Sequence, residues 1–423
     1  MDRLRARRRR RGTAVNDAVR ERNILLVTSV AHFLAHFGLL IFPSLVLSIQ
    51  QDWNLPFDRA LALGFWMYLL FGLGALPTGV LTDLWRRPQL MIVICLAGMA
   101  ACSLWAGLTR TASQLTCALG GLGLFASIYH PAGMGLISTG VKRRGWALGV
   151  NGVAGNLGEV LAPVAAGLLA VVLGWRSVYL VLAVPSAAMA VLALRLRADG
   201  LPAPAAREAE PVRGRRRTVL VFSLLCVAMV CGGIAYRGQT LVLPKWFQEQ
   251  GGALVAAVEG WTWLPRAGGS VVAATALTSL AYLVGALGQV VGGRLSDRHD
   301  LRRVYFGFQA CALPLLVLMG QTSGPALLLA AMAYSFFAFG MQPAENSLVA
   351  ALTPPRLRST GYGLKFVLVF GMGSLAVKLV GDWERAGGLA TAFPRLALFI
   401  VGLLASVIVL TLFTRREAIR NRN

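Results

Sequence analysis

Apolar residues run through this 423-residue chain in long, almost unbroken segments separated by short polar ones. Each apolar segment has about 18 or more residues, which is enough for an α-helix to cross about 30 Å of hydrocarbon. A soluble protein of this length would interrupt its apolar positions with polar ones far more often. The pattern predicts an all-α membrane protein with twelve transmembrane helices, six before a polar gap and six after it. The predicted spans are residues 24–49, 60–83, 89–108, 113–140, 146–173, 176–195, 218–244, 272–296, 303–320, 326–352, 360–381 and 393–414.

The two groups of six spans repeat one another. Gly79-x-Leu81-Thr82-Asp83 matches Gly293-x-Leu295-Ser296-Asp297 at an offset of 214 residues. The segment HPA in the fourth span matches QPA in the tenth at an offset of 212, and RGWALGVN matches RSTGYGLK at an offset of 214. Parallel repeats of six spans form transporters in which two bundles face a central cavity. We therefore expect two six-helix bundles with a cavity between them.

Charge is scarce but strongly asymmetric. Charged residues make up 14% of the chain and hydrophobic residues 56%, and the formal net charge is +23. When alternate inter-span segments are placed in the cytoplasm, 31 of the 41 Lys and Arg residues fall there, seven fall in the opposite segments and three lie inside spans. This excess follows the positive-inside rule and predicts that both termini are cytoplasmic. The basic run RLRARRRRRG is therefore interpreted as a topology and anionic-lipid anchor, and not as an arm that binds nucleic acid.

The polar segments divide the chain into five parts. We expect a basic cytoplasmic tail (1–22), an N-terminal six-helix bundle (23–196), a cytoplasmic linker (197–217), a C-terminal six-helix bundle (218–414) and a second cytoplasmic tail (415–423). The linker is rich in Pro, Ala and charged residues, which is typical of a segment of low order. The six cysteines lie in apolar spans without a C-x-x-C pair, so disulfides and thiolate metal sites are not expected.

The repeated Gly–Asp segments resemble the signature of the major facilitator superfamily, Gly-x-Leu-x-Asp-Arg-x-Gly-Arg-Lys, and the resemblance extends over about residues 23 to 415. The first copy has Leu84 where the family has arginine and Arg86 where it has glycine, and the second has Asp300 at the glycine position. A carboxylate at a span end needs a partner, and loop arginines can supply one. In the family this cluster holds the two bundles together at the cytoplasmic face in the outward-facing state. The resemblance implies a cytoplasmic gate of Asp83, Arg86, Arg87, Asp297, Arg298 and Arg302.

The fifth span carries small residues and a proline at regular places. Gly149, Gly158, Pro163 and Gly167 resemble the antiporter motif of the superfamily's drug and proton exchangers, with alanine at two of the motif's glycine positions. Small residues let helices approach closely, and a proline lets a span bend. The resemblance implies export in exchange for protons.

A narrower resemblance is to the fosmidomycin-resistance group of exporters. It rests on HFLAHFGLLIFPSL in the first span, YHPAGMG in the fourth and YRGQTLVLP in the seventh. That group has an aspartate where this chain has His36. The resemblance therefore implies the architecture of an exporter and leaves the substrate and the coupling ion open.

Seven polar residues inside the spans are candidates for a substrate or proton pathway. Ionisable groups at such depth almost always pair with one another or face water. Two of the histidines are four residues apart and so share one helix face. The arginine offers a guanidinium that matches the geometry of a carboxylate or phosphonate, whereas a carboxyl group or a histidine could carry a proton. The candidates are His32, His36, His130, Glu159, Arg237, Glu345 and Lys365.

Other functions stay open at this point. A histidine pair near carboxylates also admits a metal cation as cargo, as in uptake or organelle-membrane transport of iron in magnetosomes, and a small organic anion is a further alternative. The alternative of another class is a non-transporting sensor or scaffold with the same fold. The chain has no Walker loop, H-E-x-x-H or G-x-S-x-G motif, so we expect neither an enzyme nor an ATP-driven pump, and no cofactor.

The sequence thus predicts a secondary transporter that works by alternating access. Its expected partners are a small-molecule substrate, protons and the lipid bilayer, with no nucleic acid, and a monomer is expected. The expected location is a bacterial inner (plasma) membrane or an organelle membrane derived from it.

Overall fold

A computed structural model describes residues 2–141, 144–196, 215–259, 268–352 and 358–414. In this part of the chain the backbone is helical almost throughout, as the apolar pattern predicts. The helices are α1 (Asp2–Trp53), α2 (Phe57–Ala62), α3 (Phe65–Trp85), α4 (Pro88–Leu108), α5 (Ala112–Ala126), α6 (Tyr129–Gly140), α7 (Arg144–Leu173), α8 (Trp175–Arg195), α9 (Arg215–Gln250), α10 (Ala253–Glu259), α11 (Gly269–Arg298), α12 (Leu301–Met319), α13 (Gly324–Gly340), α14 (Gln342–Leu352), α15 (Arg358–Phe366), α16 (Leu375–Gly387) and α17 (Ala392–Phe413).

Twelve segments of the described chain are long and apolar enough to cross a membrane, which confirms the twelve predicted spans. Single helices form most spans, while α2 with α3, α5 with α6, α13 with α14 and α15 with α16 form the second, fourth, tenth and eleventh. The first helix begins at Asp2, so the backbone of the predicted basic tail continues the first span. Arginine and alanine favour helix, which accounts for the continuation. Most of the predicted linker (197–214) and the second tail (415–423) lie outside the described residues.

The fourth and tenth spans are interrupted at matching places. The fourth is broken between Ala126 and Tyr129, just before Pro131, and the tenth at Met341, just before Pro343. A proline has no backbone N–H to donate and its ring crowds the preceding turn. The HPA and QPA repeat in the sequence is therefore also a repeat in the structure: each half breaks its fourth span beside the cavity.

The eleventh span contains an irregular stretch. A π-helical segment, Val367–Gly371, follows α15, and a 3₁₀ turn, Met372–Ser374, leads into α16. Segments of π-helix occur frequently at functional sites. The wider turn changes the direction in which neighbouring side chains point. Lys365 and Phe366 come immediately before this segment.

The two bundles touch one another from the middle of the spans to the end away from the chain termini, which we call the far end. The end at which the first span begins and the twelfth ends is the terminal end. A Cβ atom on Gly72 would lie 2.0 Å from the backbone nitrogen of Gly371, so the second and eleventh spans meet backbone to backbone. Closer to the far end, Asp58 and Arg385 form an ion pair at 3.3 Å. The far end of the molecule is therefore closed.

Candidate functional site

A cavity of about 290 Å³ lies between the two bundles near the middle of the spans. The first, fourth and fifth spans form one wall, and the seventh, eighth, tenth and eleventh spans form the other. Six of the seven polar residues proposed for a substrate or proton pathway line it. They are His32, His36, His130, Glu159, Glu345 and Lys365.

The first wall is organised by contacts between the first and fifth spans. Nδ1 of His36 lies 2.6 Å from Oε1 of Glu159, and Nδ1 of His32 lies 2.8 Å from the carbonyl oxygen of Asn151. A carbonyl oxygen only accepts, so Nδ1 of His32 carries the hydrogen. The ring of His32 lies directly against Gly155, where an added Cβ would be 2.6 Å from Cε1 of the ring. Glycine at this place is what lets the histidine lie flat against the fifth span.

The three histidines converge although they come from two spans. The ring centroid of His32 lies 4.6 Å from that of His36 and 5.3 Å from that of His130, and the other two are 5.4 Å apart. One ring nitrogen from each lies within 4.8 Å of the others. His130 is also stacked on Phe366 of the opposite bundle, with centroids 4.3 Å apart. The sequence predicted that His32 and His36 share one face of the first span. His130 lies beside them only because the fourth span packs against the first.

The second wall carries a buried ion pair. Nζ of Lys365 lies 2.8 Å from Oε1 of Glu345, and the hydroxyl of Tyr305 donates to Oε2 of the same carboxylate at 2.7 Å. The Lys365 ammonium also contacts the side-chain oxygen of Asn346. A buried charge pair is stable only when its remaining hydrogen-bonding capacity is satisfied, and here the tyrosine and the asparagine do this. The cavity thus lies between two titratable pairs, one in each bundle.

Polar side chains connect the two walls. The Asn156 amide donates to Gln289 at 2.7 Å, and Gln289 donates to Gln342 at 2.9 Å. The hydroxyl of Tyr236 lies 3.5 Å from Oε1 of Glu159, at the outer limit of a hydrogen bond. None of these partners was a sequence candidate. In the sequence, the only indication of these residues is an amide or hydroxyl side chain in an otherwise apolar span. Such side chains are too common for this to identify a particular residue.

Arg237 lies apart from the other candidates, outside the lining of the cavity. Its side chain is 2% exposed, and its guanidinium carbon lies 3.9 Å from the centre of the Tyr68 ring. Nε and Nη1 have no hydrogen-bond partner among the described residues. Because Tyr68 belongs to the second span and Arg237 to the seventh, this cation–π contact joins the two bundles.

The residues of the expected cytoplasmic gate lie at the terminal end. Asp83, Arg86, Arg87, Asp297 and Arg298 are exposed, and Asp83 forms no ion pair within the described chain. Arg86 ends α3 with φ of 52°, in the left-handed region that favours glycine, so it occupies the position for which the family motif has glycine.

Arg302, the sixth gate residue, is buried within the second bundle. Its Nε donates to Asp300 at 2.8 Å, and its Nη1 donates to the carbonyl of Thr414 at 2.8 Å. The sequence did not indicate this pairing, because Asp300 occupies the position at which the family motif has glycine.

The residues of the antiporter-like motif face two different neighbours. A Cβ on Gly158 would lie 2.5 Å from the carbonyl oxygen of Phe33 in the first span, and one on Gly167 would lie 1.9 Å from Oγ1 of Thr275 in the eighth. Beside Pro163, the backbone N–H of Val164 donates to Ser279 of the opposite bundle at 3.0 Å. Gly149 has open space around it. The far part of the motif therefore forms a contact between the bundles.

Comparison with known proteins agrees with this architecture. The model of the Major Facilitator Superfamily matches residues 28–377. The chain is 24% identical over 392 residues to the "uncharacterized MFS-type transporter YfnC" of Bacillus subtilis, covering 90% of this chain and 91% of the relative. It is 26% identical over 347 residues to the multidrug efflux pump Tap of Mycolicibacterium fortuitum, covering 78% and 79%.

The solved structures that resemble this chain have the same fold at low identity. The peptide transporter POT matches with a TM-score of 0.70 at 13% identity, covering 93% of this chain and 94% of the other. A bacterial homologue of the human lysosomal transporter Spinster matches with a TM-score of 0.66 at 15% identity, covering 93% and 96%.

Proposed function

This chain belongs to the major facilitator superfamily, a family of multi-pass membrane transporters, and we propose that it exports a small molecule in exchange for protons by alternating access. The observation that carries the proposal is the cavity between the bundles, with the His36–Glu159 pair on one wall and the Glu345–Lys365 pair on the other. Ionisable groups held at this depth in a membrane protein mark substrate and proton pathways.

The closed far end supports alternating access. The contacts that join the two bundles there include the Asp58–Arg385 ion pair, the backbone approach at Gly72 and the stacking of Arg237 on Tyr68. The fifth and eighth spans also meet, at Gly167 and Val164. With both termini in the cytoplasm, as the charge distribution predicts, the far end is the outer face. The conformation is then the inward-facing one, in which a solute enters the cavity from the cytoplasm.

The exposed Asp83 carboxylate supports the same assignment of conformation. In the family, the cluster around Asp83 joins the bundles when the cytoplasmic face is closed. Here Asp83 is exposed and forms no ion pair with any described residue. A carboxylate that loses its partners in one conformation and regains them in the other is what a rocking exchange between two closed faces requires.

Glu159 is the residue to which we assign the proton. Oε1 faces Nδ1 of His36, while Oε2 is buried without a hydrogen-bond partner among the described residues. A proton on Oε2 would neutralise the group and leave the His36 contact in place. The hydroxyl of Tyr236, in the opposite bundle, contacts the same carboxylate. A change in the charge of Glu159 therefore alters a contact between the two bundles.

Two observations favour export over uptake. The Gly149–Gly167 segment resembles the motif of antiporters and forms contacts with both bundles. Several relatives are named as multidrug efflux or multidrug resistance proteins, one matched over 78% of this chain and others over 34% to 38% of it. These names concern the relatives, and they support the direction of transport and not a particular substrate.

The test is proton movement in inside-out vesicles that contain the protein and have an acidic interior. Phosphonates, cationic drugs, organic acids and sugars are added one at a time, and internal pH is followed with a trapped dye. We expect one class to trigger proton efflux, and Glu159→Gln to abolish it. Solute movement without proton movement would contradict antiport. Failure of every class to move, with the protein shown to be folded, would contradict the transporter assignment for these solutes.

A further inference from the structure

Three histidines on one wall of the cavity present ring nitrogens to a common point. His32 and His36 come from consecutive turns of the first span, and His130 comes from the fourth span beside its break. One nitrogen from each lies within 4.8 Å of the others. His130 is 7% exposed, and its Nε2 has no hydrogen-bond partner within the described ranges. We call His32, His36 and His130 the histidine triad.

The partners of two rings fix which nitrogen is free. Nδ1 of His32 donates to the carbonyl oxygen of Asn151, and Nδ1 of His36 faces the carboxylate of Glu159. A neutral ring that donates from Nδ1 has its lone pair on Nε2. Nε2 of His36 is buried and lacks a hydrogen-bond partner in the part of the chain that the structure describes. A buried acceptor without a partner is costly, and a ligand in the cavity would remove that cost.

The pattern of outer partners is that of a metal site. Histidines that bind a metal through one nitrogen almost always donate from the other to a carboxylate or a backbone carbonyl, which holds the ring in place. Glu159 supplies the carboxylate for His36, and Asn151 supplies the carbonyl for His32. His130 is held instead by stacking on Phe366 of the opposite bundle. The Nδ1 atoms of His32 and His36 are thus held by outer partners, and the His130 ring is held by stacking.

We propose that the histidine triad binds a divalent transition-metal ion of the zinc, cobalt or nickel kind, and that this ion is a solute of the transporter. Imidazole nitrogens suit these ions, whereas magnesium and calcium prefer oxygen. Metal–nitrogen bonds are about 2.0–2.1 Å, so closure around an ion requires each ring to move by less than about 1 Å. The fourth coordination position would face the cavity and hold water. The role of the ion as solute rests on the transport function proposed above, whereas its binding does not.

The test of binding uses Co²⁺ as the probe, with the full-length protein purified in detergent. Co²⁺ with nitrogen ligands in a four-coordinate site gives strong visible absorption, which aqueous Co²⁺ lacks. We expect one Co²⁺ per chain with this absorption. His32→Ala, His36→Ala and His130→Ala should each abolish it. The matched control is His299→Ala, which removes the fourth histidine of the chain, an exposed residue at the terminal end.

The outer partner gives a graded test. Glu159→Gln keeps the shape of the side chain but weakens its hold on His36, so we expect Co²⁺ affinity to fall roughly ten- to a hundred-fold while the absorption spectrum at saturation is kept. Gly155→Ala should displace the His32 ring and weaken binding as well. If the triad had a purely structural role, neither the unmodified protein nor any variant would show the visible absorption of bound Co²⁺.

Three outcomes separate the proposals. Absorption that depends on all three histidines and survives His299→Ala supports the metal site. No binding, or binding that the triad variants leave unchanged, overturns it, and proton efflux driven by another solute would still uphold the transport function. Triad-dependent binding without any movement of Co²⁺ across vesicles that do transport another solute overturns the ion as cargo.

Discussion

Nδ1 of His36 lies 2.6 Å from Oε1 of Glu159, and this contact joins the first and fifth spans inside the first bundle. Because both residues belong to one bundle, the pair moves as a unit when the bundles rock against each other. Tyr236 reaches Glu159 from the other bundle at 3.5 Å, so only that contact has to change in a rigid-body exchange. In the antiport cycle proposed above, the pair would therefore carry a proton from one side of the membrane to the other while its own contact stays in place.

Glu159→Gln should abolish proton movement driven by solute. Glutamine keeps the hydrogen bond to His36 but cannot gain or lose a proton at neutral pH. We expect proton efflux from acid-loaded inside-out vesicles to fall to the level of vesicles without protein. The matched control is Glu21→Gln, the same change near the terminal end of the first span and outside the cavity. Proton efflux that persists in Glu159→Gln would assign the carrier to another residue.

Lys365→Met should destabilise the protein strongly, because it leaves the Glu345 carboxylate buried without its counter-charge. Removing one partner of a buried pair costs about 3–5 kcal/mol. The double variant Glu345→Gln with Lys365→Met should recover most of this loss, since no unpaired charge remains. Thermal unfolding of the purified proteins in detergent measures the loss of stability in the single variant and its recovery in the double variant. Equal stability of the single and double variants would show that the unpaired Glu345 carboxylate is not the cause of the loss.

The sequence predicted the spans and most of the cavity for one reason. Long apolar runs and their few buried charges follow directly from the cost of placing charge in hydrocarbon. What it could not predict was how each helix is rotated about its axis. This rotation places Arg237 against Tyr68 outside the cavity, and it brings Tyr305 onto Glu345. Such pairings depend on packing between spans that are far apart in sequence.

Terminal-end contacts were hard to predict for another reason. The expected partners of Asp83 were loop arginines, yet Asp83 is exposed and Arg302 pairs with Asp300 inside its own bundle. If the proposed gate joins the two bundles when the terminal end is closed, its residues lie apart when that end is open. A single sequence predicts the motif but not the conformation in which its residues meet.

Arg385→Ala should favour opening of the far end. Its ion pair with Asp58 joins the eleventh span to the second, but the arginine side chain is 55% exposed. Ion pairs of this exposure are weak because solvent screens them, so we expect at most about a five-fold change in the ratio of the two conformations. Energy transfer between dyes at the far ends of the two bundles measures it. Arg110→Ala, which removes another exposed far-end arginine, should leave the ratio unchanged.

Asp83→Asn should act in the opposite direction. The carboxylate forms no ion pair in the conformation described, so its loss should change the unfolding free energy of that conformation by less than about 0.5 kcal/mol. If it binds arginines when the terminal end is closed, its loss destabilises only the closed form. We expect dyes at the terminal ends to be farther apart on average and transport to be slower. A shift towards a closed terminal end would contradict the proposed gate.

Gly72→Ala should prevent the far end from closing. The added Cβ would lie 2.0 Å from the backbone nitrogen of Gly371, a distance that no side-chain movement can relieve. Overpacking of this kind costs typically about 1–3 kcal/mol, and here the cost falls only on the conformation in which the second and eleventh spans touch. We expect far-end dye distances to increase and uptake of solute into inside-out vesicles to fall. Gly307→Ala adds the same methyl group in the ninth span where nothing lies within 4 Å, so it should leave both measurements unchanged. Normal transport by Gly72→Ala would show that this approach is not part of the cycle.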